Sequence, residues 1–209
     1  ERNADSYLLY AYGFPDPVTG QLVLAGPFAP YAGFNGGSYK TQTEQDDIGL
    51  QASGPFKLLG RTHELAFGYS YSNQEFNADT RGYLSAGNGD FNNWDGSIAP
   101  PAWTALTFYE ESELTQQGLY GVARFNVAEP LKLIVGARVS NYEKTGHGIY
   151  TPAYDIEHKR EVTPYAGLIL DVTKNVSAYV SYTDIFLPQS VRNASGAYLD
   201  PILGRSVEA

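Results

Sequence analysis

Four segments between Gly118 and Thr183 alternate apolar and polar residues with a period of two. In GLYGVARFNV, Leu119, Gly121, Ala123, Phe125 and Val127 share one side, and Tyr120, Val122, Arg124 and Asn126 share the other. In LKLIVGARVSNY, Leu131, Leu133, Val135, Ala137 and Val139 oppose Lys132, Ile134, Gly136, Arg138 and Ser140. In EVTPYAGLILDV, Val162, Pro164, Ala166, Leu168, Leu170 and Val172 oppose Thr163, Tyr165, Gly167, Ile169 and Asp171, and in VSAYVSYT, Val176, Ala178, Val180 and Tyr182 oppose Ser177, Tyr179, Ser181 and Thr183. Successive side chains of a strand point to opposite faces, so all four read as sheet strands with one apolar side. Arg124, Lys132, Arg138 and Asp171 all fall on the polar side. The apolar side faces either a protein core or lipid, and periodicity does not choose between them.

The connections narrow the choice. AEP and TKN are tight turns suited to antiparallel neighbours, whereas TGHGIYTPAYDIEHK between them is long and polar. Short turns alternating with long loops are the pattern of an outer-membrane barrel. No run of about 18 apolar residues is present, which excludes a transmembrane helix but not barrel strands, which are shorter and only half apolar. Seventeen tyrosines, 10 phenylalanines and 22 glycines suit β-structure with aromatic girdles. The net charge of −9 argues against a nucleic-acid partner, and the absence of cysteine removes a disulfide framework. There is no methionine, even at position 1, so the chain is expected to be a mature or excised piece.

Further strands are expected at 5–14, 41–53 and 63–73, residues 112–127 take in the first of the four segments, and RSVEA opens one more strand. Residues 15–39 read as a Gly/Pro/aromatic loop with a small hairpin around QLVLAG, 74–111 as the longest non-periodic region, and 185–204 as a last loop. The fold class is therefore all-β and antiparallel, with seven to eight strands, and the pattern suits a transmembrane β-barrel segment with long extracellular loops. Tyr69, Tyr71 and Tyr182 at one end and Phe125 at the other are placed where interfacial belts would sit. Pro164 is the one residue against a simple sheet, since proline cannot donate to a ladder.

The runs NWDGSIAPPAW, QQGLYGVARFNVAEPLKLIVGARVSNYE, VTPYAGLILDVTKNVSAYVSYTDIFLPQS and LDPILGRSVEA, together with GPFKLLGRTHELAFGYSYS, resemble TonB-dependent ferric-siderophore receptors of the hydroxamate and pyoverdine type. The likeness runs over about residues 41–209. It implies a bacterial outer-membrane barrel of about 22 strands, plugged by an N-terminal domain. It also implies that residues 1–209 are part of one barrel domain, with the plug and the C-terminal strands outside them. The expected partners are a ferric siderophore as transported ligand, outer-membrane lipid, the plug of the same parent chain, and TonB through the missing N-terminal region. A soluble or secreted carbohydrate-binding module and a porin or adhesin remain as alternatives.

No catalytic constellation stands out. His63, His147 and His158 lie outside any zinc-type spacing and read as surface residues. Glu110, Glu111 and Glu113 read as a solvated edge. Asp90, Asn92, Asn93 and Asp95 cluster like calcium ligands but lack the distal bidentate Glu of an EF-hand. No enzyme activity, cofactor or metal site is assigned. The ligand site is expected on the extracellular side, mainly in the 74–111 loop, through Arg81, Tyr83, Phe91, Trp94, Trp103, Phe108 and Tyr109, with Arg192 and Tyr198 of the last loop reaching the same mouth. Aromatic rings offer large contact area with few rotors, which suits a large, partly apolar, oxygen-rich ligand. Six carboxylates of that loop against Arg81 leave −5, which favours a neutral or cationic hydroxamate complex over an anionic catecholate.

Overall fold

The computed structural model of the chain describes the backbone of residues 1–84, 90–93 and 102–209, and their side chains except at 9–11, 28, 30, 31, 34, 35, 83 and 84. Its strands are β1 (Arg2–Tyr12), β2 (Phe14–Pro15), β3 (Leu22–Val23), β4 (Gly33–Leu58), β5 (Arg61–Leu84), β6 (Ala102–Trp103), β7 (Thr107–Ala128), β8 (Leu131–Gly148), β9 (Tyr154–Thr173), β10 (Val176–Leu187) and β11 (Ile202–Glu208). One sheet runs in the order β1-β4-β5-β7-β8-β9-β10-β11, with β6 added to β5, and β2 pairs β3 separately. The expected all-β antiparallel sheet is present, with neighbours in chain order and β1 and β11 at the edges.

Strand bounds differ from expectation in one consistent way. β4 has 26 residues, β5 24 and β7 22, well beyond the 41–53, 63–73 and 112–127 read from the sequence. The loop expected at 74–111 therefore begins only after Leu84, and TGHGIYTPAYDIEHK reduces to the connection 149–153 between β8 and β9. The bilayer needs about 9–11 strand residues, so most of the added length lies where both faces are wet and no alternation is imposed. The 185–204 loop also contains an antiparallel bridge, Arg192 to Tyr198.

Contacts divide the chain into two compact units: residues 1–44, 75–112 and 147–153, and residues 45–74, 113–146 and 154–209. In the first, β1 pairs β4 from Arg2↔Thr43 to Tyr12↔Gly33. Leu22 of the small hairpin is 1% exposed, and Ala78 and Ser38 are buried. The hairpin expected around QLVLAG thus exists, pairing Phe14–Pro15 with Leu22–Val23. A short 3-10 helix follows over Gly26–Tyr31, with Pro in its first turn, where a missing N–H costs nothing.

In the second unit the register pairs the apolar rows predicted from the sequence. Leu131 meets Leu170, Leu133 meets Leu168, Val135 meets Ala166 and Val139 meets Val162. Ala178, Val180 and Tyr182 continue these rows against Leu170, Leu168 and Ala166. Among the described residues these rows stay open: Val162 is 58% exposed, Val180 44% and Leu170 43%, and Ile156 is the one buried hydrophobic residue among the described residues of this unit. A soluble domain of about 150 residues or more would bury roughly two-thirds of its chain's surface around a core. A single layer with open apolar rows is the arrangement that lipid, not water, stabilises.

The polar side is cross-linked strand to strand. Arg138 reaches over Gly118 to donate from Nη2 to Ser70 Oγ at 2.9 Å and from Nε to Ser140 Oγ at 2.9 Å. Tyr120 donates to Gln51 Oε1 at 3.2 Å, lying over Gly68, where a Cβ would sit 2.5 Å from its hydroxyl. Arg124 pairs with Glu64 at 3.3 Å, and Lys132 with Asp171 at 2.6 Å. All four charged residues placed on this side by the sequence are therefore on it.

Two corrections concern single residues. His63, expected at the surface, is 4% exposed. The turn at Leu59 (φ 47°) and Gly60 (φ 75°), both in the left-handed region, brings the Leu58 carbonyl within 3.0 Å of His63 Nε2. Asn126 N–H donates to Nδ1 at 3.0 Å, so the ring is neutral with its proton on Nε2, and Phe56 and Phe125 pack against it. Pro164 also has an account. The β8 ladder continues through it opposite Ala137, whereas the β10 ladder stops at Tyr165↔Thr183. The missing N–H falls where β9 has no partner.

Candidate ligand-binding surface

The first unit holds three aromatic patches built on strand ends. β6 is fastened to the end of β5 by backbone pairing of Tyr83 with Trp103 and Leu84 with Ala102. Thr104 reinforces the join: its N–H donates to Gly82 O at 3.0 Å and its Oγ1 accepts the Gly82 N–H at 2.8 Å. This brings the Arg81 guanidinium to 5.3 Å from the Trp103 ring centre, a cation–π distance, while Arg81 Nε donates to the buried Ser38 Oγ at 3.4 Å. Arg81 and Trp103, both half-buried, form one contact surface. The Tyr83 side chain lies outside the described residues, as does Trp94 altogether.

The second patch centres on Tyr109. The 149–153 connection is held to β7 by Ile149 N–H donating to Tyr109 O at 2.9 Å. Gly148 permits this approach, since a Cβ there would be 2.9 Å from the same carbonyl. Tyr109 then stands edge-to-face with Tyr39, centroids 5.1 Å apart, and with Tyr150, 6.3 Å apart. Beside them Phe108 stacks on His147 at 5.1 Å, and His147 Nδ1 lies 3.4 Å from Glu111 Oε1. Tyr150 is 84% exposed and Tyr39 is also open. Neither was expected as a site residue. The available signal was a tyrosine flanked by glycine or proline in GGSYK and GIYTP, stretches whose polarity hides a structured rim.

The third patch is the turn at 90–93, where Phe91 is half-buried. Asp90 Oδ1 accepts the Asn92 N–H at 3.0 Å and its Oδ2 accepts from Asn93 Nδ2. Both carboxylate oxygens are thus used in capping the turn. Asp16, in the neighbouring hairpin, is held below the usual carboxylate range by hydrogen bonds from the Thr19 N–H, the Val18 N–H and the Thr19 hydroxyl. Among the described residues no group of three or more His, Cys, Asp or Glu is arranged to hold a metal.

Arg192 and Tyr198 belong to the second unit and close on each other. The Arg192 guanidinium sits 4.4 Å over the Tyr198 ring and Nη2 donates to its hydroxyl. Asn193 Oδ1 accepts the Ser195 and Ala197 N–H groups, each at 3.0 Å, and fixes the tip of this small hairpin. These surfaces offer aromatic faces and edges with few cations, suited to holding a large, partly apolar ligand by contact area and a few donors.

Comparison with known proteins bears directly on this sheet. The family model for TonB dependent receptor-like β-barrels matches residues 3–209. The chain belongs to that family. It is 36% identical over 176 residues to the ferripyoverdine receptor of Pseudomonas aeruginosa, covering 81% of this chain and 21% of the relative. The crystal structure of the ferripyoverdine receptor of the outer membrane of Pseudomonas aeruginosa bound to ferripyoverdine superposes with a TM-score of 0.72 at 31% identity, over 97% of this chain and 26% of that one. The FpvAI–pyocin S2 complex matches with a TM-score of 0.74 at 32% identity, over 97% of this chain and 25% of that one. The chain spans about a fifth of the length of its curated relatives. Membership bears on the question left by periodicity: the sheet is part of an outer-membrane TonB-dependent receptor barrel. A soluble carbohydrate-binding module is excluded, and the relatives are receptors, not enzymes.

Proposed function

We propose that residues 1–209 are a segment of one barrel domain in an outer-membrane receptor that binds a ferric siderophore at its extracellular end and passes it inward. The siderophore is of the peptidic hydroxamate type, as in pyoverdine. The plug domain is supplied by the rest of the parent chain, and TonB is a separate partner that acts through its N-terminal region. The observation that carries this reading is the combination of the open, lipid-suited sheet with a 36% identical match to a receptor named for ferripyoverdine. On this reading the aromatic patches of the first unit contribute to the extracellular ligand surface. Arg81 with Trp103, Tyr83, Phe91, Trp94 and Tyr109 with Tyr39 and Tyr150 are its contact residues, and Arg192 with Tyr198 adds a further pair. The excess of carboxylates in the 74–111 segment disfavours an anionic catecholate complex. A relative is seen in complex with pyocin S2, and a pyocin is the second candidate ligand of this receptor.

The test is iron uptake by cells whose own siderophore receptors are deleted and which express the parent chain. Uptake from a ferric hydroxamate-type pyoverdine and little from a ferric catecholate is expected. Uptake from neither, with the receptor present in the outer membrane, would contradict the proposal.

A further inference from the structure

We propose that the hairpin 14–23 is a positioning element for the ligand-binding segment, and that Gly20 fixes it there through Asp90. The functional half of this proposal rests on the siderophore-receptor reading.

The hairpin's tip is determined several times over. Asp16 Oδ1 accepts the N–H groups of Val18 at 2.9 Å and Thr19 at 2.8 Å, and the Thr19 hydroxyl at 3.1 Å. Asp16 N–H donates to Gln21 O and Gly20 N–H to Asp16 O, each at 2.8 Å. An aspartate that caps its own turn in this way gives the tip one conformation. At the base, Leu22 is 1% exposed and anchors the hairpin in the first unit.

The rigid tip then carries the 90–93 turn. Gly20 O accepts the Phe91 N–H at 2.9 Å, and Asp16 O accepts from Asn92 Nδ2 at 3.4 Å. Gly20 has φ of +70°, and a Cβ built on it would lie 1.8 Å from Asp90 Oδ1, 2.8 Å from Asp90 Cγ and 3.2 Å from Asn92 N. Glycine is therefore required twice, for its backbone conformation and for the approach of the other turn. Gly26 in the same loop provides the contrast: φ of +65° with nothing within 4 Å. The join at Gly20 is a contact between two loops, not merely a bend in one.

Phe91 lies in this join, and Trp94 follows three residues later in sequence. A loop held in its bound conformation before the ligand arrives loses less freedom on binding, so the hairpin raises affinity without touching ligand. The sequence reading assigned the 15–39 loop no part in the site; the hydrogen bonds at Gly20 and Asp16 give it one.

The experiment uses the full-length parent receptor with Gly20→Ala, Asp90→Ala and Gly26→Ala. Hydrogen exchange over residues 90–93 reads the join, titration with ferripyoverdine reads the ligand site, and heat-modifiable migration checks that the barrel is folded. Gly20→Ala should speed exchange over 90–93 and weaken ferripyoverdine binding by roughly tenfold, as lost preorganisation does. Asp90→Ala, which leaves the hairpin's backbone unstrained, should act in the same direction, and Gly26→Ala should leave both readouts near wild type. Unchanged exchange over 90–93 in Gly20→Ala would overturn the join. Faster exchange with unchanged affinity would overturn the positioning role. A folded wild-type receptor with normal exchange that binds no ferric siderophore would overturn the receptor reading and the functional half of this proposal, leaving the join itself standing.

Discussion

Arginine introduced on the two faces of the sheet at the same depth should have sharply different costs. Val135 lies on the apolar side of β8, four residues past its start at Leu131, near the middle of the roughly 9–11 residues that cross a bilayer. It registers against Ala166 of β9 and is 38% exposed. Ser181 of β10 registers against Gly167, the next residue of β9, and so lies at nearly the same depth on the opposite face. Val135→Arg places a guanidinium against lipid, at a cost of about 2–4 kcal/mol near the midplane. Ser181→Arg points into the lumen, where water or plug groups solvate it, and should cost no more than about 0.5 kcal/mol, as for an ordinary surface exchange. A gap of about 1.5–4 kcal/mol corresponds to a roughly 10- to 700-fold difference in the folded-to-unfolded ratio. Urea unfolding of the full-length receptor in lipid vesicles, followed by intrinsic tryptophan emission and by heat-modifiable migration, measures it. Equal costs, or a larger cost for Ser181→Arg, would show that the faces are assigned wrongly.

Further outcomes follow from individual contacts. His63→Phe keeps the ring packing against Phe56 and Phe125 but removes the partners of the Asn126 N–H and the Leu58 carbonyl, and should destabilise by about 1–3 kcal/mol for each group left unsatisfied; no loss of stability would contradict the buried, neutral histidine. Leu22→Ala should loosen the first unit by about 2–5 kcal/mol, seen as faster hydrogen exchange across 14–23 with the second unit unaffected. Asp16 has a lowered pKa, so its capping contribution is fully present above the ordinary carboxylate pKa and is lost as pH falls through its depressed value. Exchange at Val18 and Thr19, corrected for intrinsic pH dependence, should therefore rise only in strong acid, and in Asp16→Asn this dependence should vanish. The 209-residue chain alone, with β1 and β11 as open edges and its apolar rows uncovered, should aggregate without detergent; a monodisperse, cooperatively unfolding monomer in plain buffer would contradict the membrane assignment.

What could be read in advance depended on whether one face of a strand meets lipid. From Leu119 to Tyr182 alternation located the strands and put Arg124, Lys132, Arg138 and Asp171 on the polar side, because a one-residue slip would turn charge to the apolar side. In GGSY of β4 and QEFNADTRGYL of β5 polar residues fall on both faces, so continuous strands read as loop. His63 was misread for a different reason. Its burial depends on the Leu59–Gly60 turn folding a carbonyl back onto the ring, a backbone effect without a residue pattern. Among the candidate residues, composition named Trp103, Tyr109, Arg192 and Tyr198 singly, without the contact between the last two. Tyr39 and Tyr150 emerged only when the 149–153 connection was seen to dock on Tyr109.

Ferripyoverdine titration of the full-length receptor carrying Tyr83→Ala, Trp94→Ala, Trp103→Ala or Tyr109→Ala, each checked for surface expression, tests the central claim most directly. A hot-spot residue of a ligand site costs about 2 kcal/mol or more when truncated, and with Trp and Tyr enriched among hot spots at least one variant should lose roughly 30-fold in affinity. Wild-type affinity in all four would contradict the assignment of the ligand surface to this segment of the barrel.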